Sequence, residues 1–218
     1  IVLLLLGGMP VFDSIAHSFG TAGTGGFGIK GDSIASYSPY LQWVITIFMI
    51  LFGVNFNAYY FILFGKLKKA FGMEEVRWYL IIVLAATAII FVTLLGTYAP
   101  FEALTHSAFQ VATIITTTGF ATADFDQWSS LAKTVLVLLM FVGACAGSTG
   151  GGIKVSRIIV FFKSAFREIG AYIHPRSVNR IKVEGRPVEH EAVRSINVYL
   201  TTYMVIFCLS ILLISIEG

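Results

Sequence analysis

The sequence predicts an all-α membrane protein built from repeated units of helix, re-entrant loop and helix, and three observations carry that prediction. Of the 218 residues, 56% are hydrophobic and only 12% charged, against about 25% charged in an average soluble domain. Charged residues are absent from four long stretches, residues 33–65, 78–101, 134–153 and 195–216, each long enough for the roughly 20 apolar residues that cross a bilayer as a helix. Two short polar stretches, Gly23-Thr24-Gly25-Gly26-Phe27 and Thr116-Thr117-Thr118-Gly119-Phe120, each follow an apolar segment too short to span.

Taken in order, residues 1–6 form an apolar run too short to cross, which reads as the tail of a truncated helix in an internal piece of a longer protein. No basic region precedes it, so it is not read as a signal peptide. Residues 10–28 give one short helix after Pro10 and a glycine-rich exit, with too few residues to cross and return. Pro39 sits where the first turn of a helix tolerates proline, and residues 40–65 read as the first complete span. Asn55 and Asn57 fall inside that span and are expected to face other helices or a wet path, as packing contacts rather than pore groups.

Residues 66–77 are a basic linker, and residues 78–96 form the second span, with Trp78 and Tyr79 as interfacial anchors. Residues 101–115 are again too short for a crossing and lead into an extended return, so 101–125 is read as a second re-entrant loop. Irregular backbone at that depth needs cover from protein or water. The third span, from residue 128, runs into the glycine-rich run 143–152, and a broken helix over 128–169 is expected because each glycine weakens a helix by up to about 1 kcal/mol. A second basic linker, residues 171–194, carries a possible hairpin with Glu184-Gly185 at its turn, and residues 195–218 form the last helix.

The net charge of +3 matters less than its placement. Lys66, Lys68, Lys69 and Arg77 crowd the first linker, and Lys163, Arg167, Arg176, Arg180, Lys182, Arg186 and Arg194 the second, whereas Glu102, Asp124 and Asp126 lie between. The positive-inside rule makes the basic linkers cytoplasmic and the acidic connection external. Cys145 and Cys208 both fall in apolar stretches and read as small buried hydrophobes. Lys154 is expected to snorkel to the interface, and His17 and His106 to be packing residues.

The two re-entrant units repeat. Phe12-Asp13 matches Phe101-Glu102 and His17-Ser18 matches His106-Ser107 at one offset, while Thr24, Gly26 and Phe27 match Thr117, Gly119 and Phe120 after a shift of four residues. Such loops expose backbone carbonyls, and rings of carbonyls can replace the hydration shell of a monovalent cation. Glycine allows the backbone angles that turn successive carbonyls to one side. No nucleophile with its base, paired carboxylates or transition-metal ligand cluster is evident, so the chain is not read as an enzyme. Two rival readings are a sodium-coupled solute carrier with broken helices and a membrane enzyme with a phosphate-cradling loop at residues 148–154, which lacks the full P-loop spacing.

The stretches TAGTGGFG, TTTGFATADF and GACAGSTGGGIKVSR, in that order, resemble the Trk/Ktr/HKT superfamily of potassium transporters, and within it the bacterial TrkH type. The resemblance covers essentially the whole chain, placed at the end of a second repeat, all of a third and the start of a fourth. It implies that the carbonyls of Thr24, Gly25, Gly26, Thr117, Thr118 and Gly119 contribute half of a potassium filter. It also implies a gate beneath the filter, formed by Gly143, Ala144, Gly147, Ser148, Thr149, Gly150, Gly151 and Gly152. K+ is the implied ion, with no covalently bound cofactor. The implied setting is the cytoplasmic membrane, in a homodimer surrounded by lipid and served by a cytosolic nucleotide-binding regulatory subunit of the TrkA kind, with no nucleic acid partner.

Overall fold

A computed structural model describes residues 1–173 and 181–216, in two compact units, Ile1–Val155 and Ser156–Gly218. The first contains α1 (Val2–Leu6), α2 (Val11–Ala22), α3 (Pro39–Phe52), α4 (Phe56–Leu63), α5 (Leu67–Gly72), α6 (Glu74–Leu94), α7 (Pro100–Ile115) and α8 (Ser130–Val142). The second contains α9 (Val155–Ile173), which starts at the boundary, a two-residue hairpin β1 (Lys182–Val183) and β2 (Arg186–Pro187), and α10 (His190–Ile216). The chain is predominantly α-helical, as its composition implies.

In the first unit, α7 is the most enclosed helix. Ten of its residues are buried, on every side, from Ala103 to Ile115, because α3, α6 and α8 all pack against it. Its counterpart α2 buries only Ser14, His17 and Thr21. Proline occupies the first turn of both α3 and α7, where its missing N–H has no intrahelical partner to lose. Leu41, Ile45 and Met49 of α3, Phe109 and Ala112 of α7, and Phe120 beyond it form one apolar cluster with Ile34 and Tyr37.

The repeat is visible in helix length. α2 and α7 begin at matched positions, but α2 has 12 residues and α7 has 16. The four-residue shift is therefore one added helical turn, which returns the chain to nearly the same face at 3.6 residues per turn.

The spans differ from expectation. Among the described residues two helices, α6 and α10, are long and apolar enough to cross a membrane, or three if the bent pair α3 and α4 is one span. Residues 40–65 are not one straight helix: α3 and α4 meet at 92°. Gly53 closes α3, and the Asn55 side chain caps α4 by accepting from the Asn57 N–H at 2.9 Å. Asn55 is buried at this break and Asn57 is exposed. α6 starts at Glu74, earlier than residue 78, with two glutamates in a first turn that favours negative charge. α8 has only 13 residues. α10 begins at His190 rather than at residue 195.

In the second unit Val160, Ile181 and Val193 form a small core. Glu184 and Gly185 both have positive φ, 52° and 77°, as a two-residue hairpin turn of the primed kind requires. The hairpin lies where it was expected, although the expected region's residues 179 and 180, and the basic residues Arg176 and Arg180, lie outside the described residues. Cys208 is exposed on α10 rather than buried, because that helix leaves nearly its whole surface uncovered.

Candidate functional site: two threonine–glycine loops against a glycine-rich segment

Both short helices end in the same hydrogen-bonded motif. At the end of α2 the N–H of Gly25 donates to the Gly20 carbonyl at 2.8 Å and that of Thr24 to Thr21 at 3.3 Å. At the end of α7 the N–H of Thr118 donates to Thr113 at 2.8 Å and that of Thr117 to Ile114 at 3.1 Å. This is the Schellman pattern, which needs a left-handed residue just beyond the cap, usually glycine. Here it is threonine in both copies, with φ of 50° at Thr24 and 57° at Thr117. A β-branched residue is a genuine outlier in that region.

Two residues further on, Gly26 and Gly119 again have positive φ, 66° and 91°. Each loop thus reverses its backbone twice within three residues, at matched positions, directly after the negative end of a helix dipole. The loops touch each other. A Cβ on Gly26 would overlap the carbonyl oxygen of Thr118, so only glycine lets the second loop's backbone come this close.

Neighbouring side chains fix the second loop. The Gly119 N–H donates to Thr113 Oγ1 at 3.0 Å, and the Ala121 N–H to Ser33 Oγ at 3.1 Å. Phe120 is buried beside His17, with ring centroids 5.6 Å apart. His17 Nδ1 lies 2.8 Å from the Asp13 carbonyl, and His106 Nδ1 lies 3.0 Å from Thr122 Oγ1, so both serve as packing and hydrogen-bonding groups. Tyr37 donates to Asp13 Oδ2 at 2.7 Å. Burial, and then that hydrogen bond, push the Tyr37 phenol up to about 12. Asp124 caps the short helical turn Phe125–Gln127 through the Asp126 N–H at 3.1 Å, on the exposed surface.

The glycine run does interrupt the helix, between Val142 of α8 and Val155 of α9. The interruption is a compact closed loop. Lys154 and Val155 donate backbone N–H groups to Val142 and Ala144 at 3.1 Å each, returning the chain to the end of α8. Gly143 and Gly152 lie back to back with positive φ, so neither position has room for a Cβ. Lys154, also at positive φ, does not snorkel outward: its ammonium donates to the Gly150 carbonyl within the loop.

The closed loop is bonded to both threonine–glycine loops through the two left-handed threonines. Thr24 Oγ1 donates to the Thr149 carbonyl at 3.0 Å, and Thr117 Oγ1 accepts from the Gly151 N–H at 2.7 Å. It is also bonded to the α3–α4 break. Cys145 N–H donates to Gly53 at 3.0 Å, and Phe56 N–H to Gly147 at 3.1 Å. The two interrupted helices thereby satisfy each other's freed backbone groups, as irregular backbone in an apolar setting requires.

A chain with two such loops over a broken helix has clear relatives. The family described as "TrkH: Cation transport protein" matches residues 5–218. This chain belongs to that family. The Trk system potassium uptake protein TrkH of Salmonella typhimurium is 32% identical over 99% of the chain, and that of Vibrio parahaemolyticus 33% identical over 97%. The corresponding TrkG protein of Escherichia coli is 34% identical over 90% of the chain. The chain spans about half the length of these relatives, 46%, 45% and 41% respectively. The crystal structure of the potassium transporter TrkH from Vibrio parahaemolyticus matches 95% of this chain and 46% of that one, with a TM-score of 0.89 at 32% identity.

Sequence reasoning missed the Gly53–Asn55 break, Glu75 and Ser33. The one available signal was the paired Asn55 and Asn57 in an otherwise apolar run.

Proposed function

We propose that this chain is the central part of a potassium-uptake protein of the cytoplasmic membrane, and that carbonyls of Thr24, Gly25, Gly26, Thr117, Thr118 and Gly119 bind K+ as it passes. The observation that carries this reading is the twin loop geometry: two matched reversals of backbone at threonine and glycine, each at the carbonyl end of a short helix. Carbonyls turned to one side replace an ion's water without any covalent chemistry. The potassium-uptake relatives support the choice of ion. Residues 143–152, hydrogen-bonded beneath both loops, act in this reading as the gate.

The rival phosphate-cradling reading is disfavoured by the loop's own donors. Within residues 148–154 the N–H groups of Gly151, Ile153 and Lys154 are engaged by Thr117 Oγ1 and by the carbonyls of Phe141 and Val142, so they do not converge on an anion. The full-length protein in liposomes is expected to take up rubidium without any organic solute, with potassium competing far better than sodium. A requirement for an organic solute would favour a coupled carrier instead.

The complete protein is proposed to be a homodimer with lipid around it and a cytosolic nucleotide-binding subunit of the TrkA kind. Lys182 and Arg186, exposed on the hairpin, belong to the basic segment proposed as its docking surface. Lys182→Glu with Arg186→Glu is expected to weaken co-purification of that subunit markedly, and unchanged binding would move the surface elsewhere.

A further inference from the structure

Among the described residues Glu75 is the only buried acidic side chain, 5% exposed at the start of an apolar helix. A buried carboxylate is costly unless hydrogen bonds compensate it, and its partners show what it holds. Oε1 accepts from the Ala146 N–H at 2.6 Å, within the closed loop, and Oε2 accepts from Asn55 Nδ2 at 3.1 Å. Asn55 has its own carbonyl oxygen committed to the α4 cap, which leaves its amide nitrogen to face Glu75.

We propose that Glu75, oriented by Asn55, is the positioning residue that pins the closed loop to the α3–α4 break. The two backbone bonds from Cys145 to Gly53 and from Phe56 to Gly147 flank the same point. Three of these bonds tie segment 145–147 to other elements, and the one to Glu75 is made by a side chain; within the loop itself Ser148 Oγ also donates to the Cys145 carbonyl. A carboxylate suits the place because two donors converge on it and it accepts through both oxygens. Glutamine offers one acceptor and one donor, so one of the two N–H groups would then face an NH2. The consequence for transport rests on the reading of residues 143–152 as the gate: a loosened pin lets the loop leave the ion path more often.

Cys145 supplies the reporter, because it is fully buried next to the pinned residue. In the full-length protein, reconstituted with its other cysteines replaced by serine, Glu75→Gln is expected to raise the rate of Cys145 labelling by a small neutral maleimide about ten-fold, the effect of losing one hydrogen bond to a charged acceptor. Asn55→Ala is expected to raise it similarly, and the double variant no further than either single one. Rubidium flux rises in parallel, with the preference for potassium over sodium unchanged, which a general loss of folding would not produce. Faster labelling without faster flux would uphold the pin and overturn the gate reading. Unchanged labelling in Glu75→Gln, or in Asn55→Ala should the first variant not fold, would overturn the proposal whatever the flux.

Discussion

Gly26→Ala is expected to abolish rubidium uptake and to reduce the amount of folded protein. The new methyl group would overlap the Thr118 carbonyl oxygen and stand 3.1 Å from the Gly119 carbonyl carbon. Both neighbours are backbone, so no rotamer change relieves the clash. Position 26 also sits at φ of 66°, where an L residue costs about 1–2 kcal/mol, added to the roughly 1–3 kcal/mol of an overpacked site. Uptake in cells and thermal unfolding of the purified full-length protein read the two effects separately. Normal uptake with a normal melting temperature would mean that the loops do not meet as described.

Gly150→Ala is the second large effect, and it acts on the closed loop. A Cβ there would lie 2.5 Å from the Ala144 methyl and 3.1 Å from the Thr116 carbonyl oxygen. The second contact belongs to the loop above, which Thr113 and Ser33 hold in place through Gly119 and Ala121. The glycine-rich segment is therefore the side that moves, and the hydrogen bond from Gly151 to Thr117 is the first to lengthen. Rubidium efflux from liposomes, measured without the regulatory partner, is expected to rise several-fold, the result of losing about 1 kcal/mol or more of holding energy. Gly170→Ala is the control: a Cβ there meets nothing within 4 Å, and its flux is expected to match the parent. A Gly150→Ala protein with parental efflux would show that the segment does not restrict the path.

The sequence made the repeated loops legible because their chemistry is local. Thr24, Gly26 and Phe27 against Thr117, Gly119 and Phe120 can be matched by eye, and the shift of four residues converts directly into one helical turn. The glycine run was legible for the same reason, since helix interruption depends on the residues in the run. What stayed hidden depends on partners distant in the chain. Gly53-Val54-Asn55 reads as part of a continuous apolar span, and only the closed loop far along the chain, by which Cys145 bonds Gly53 and Gly147 bonds Phe56, explains why the helix breaks there. Glu75 sits among the charges of a linker and looks solvated until Ala146 and Asn55 are brought to it. Lys154 looks like a helix-end lysine, but its positive φ turns it inward to Gly150.

If the backbone of the matched loops selects the ion, as proposed, Gly119 is the position where a substitution shows it. A Cβ at this position meets nothing within 4 Å among the described residues, so a side chain can be added without a clash. Its φ of 91° is nevertheless one that a residue other than glycine adopts only under strain, so serine is expected to turn the local carbonyls away from their present direction. The measurement is rubidium uptake by the full-length protein carrying Gly119→Ser, with potassium and sodium as competitors. Uptake is expected to fall and the potassium-over-sodium preference to weaken at least about ten-fold, a change of ~1.4 kcal/mol in relative binding. Undiminished uptake with the preference intact would contradict the proposal.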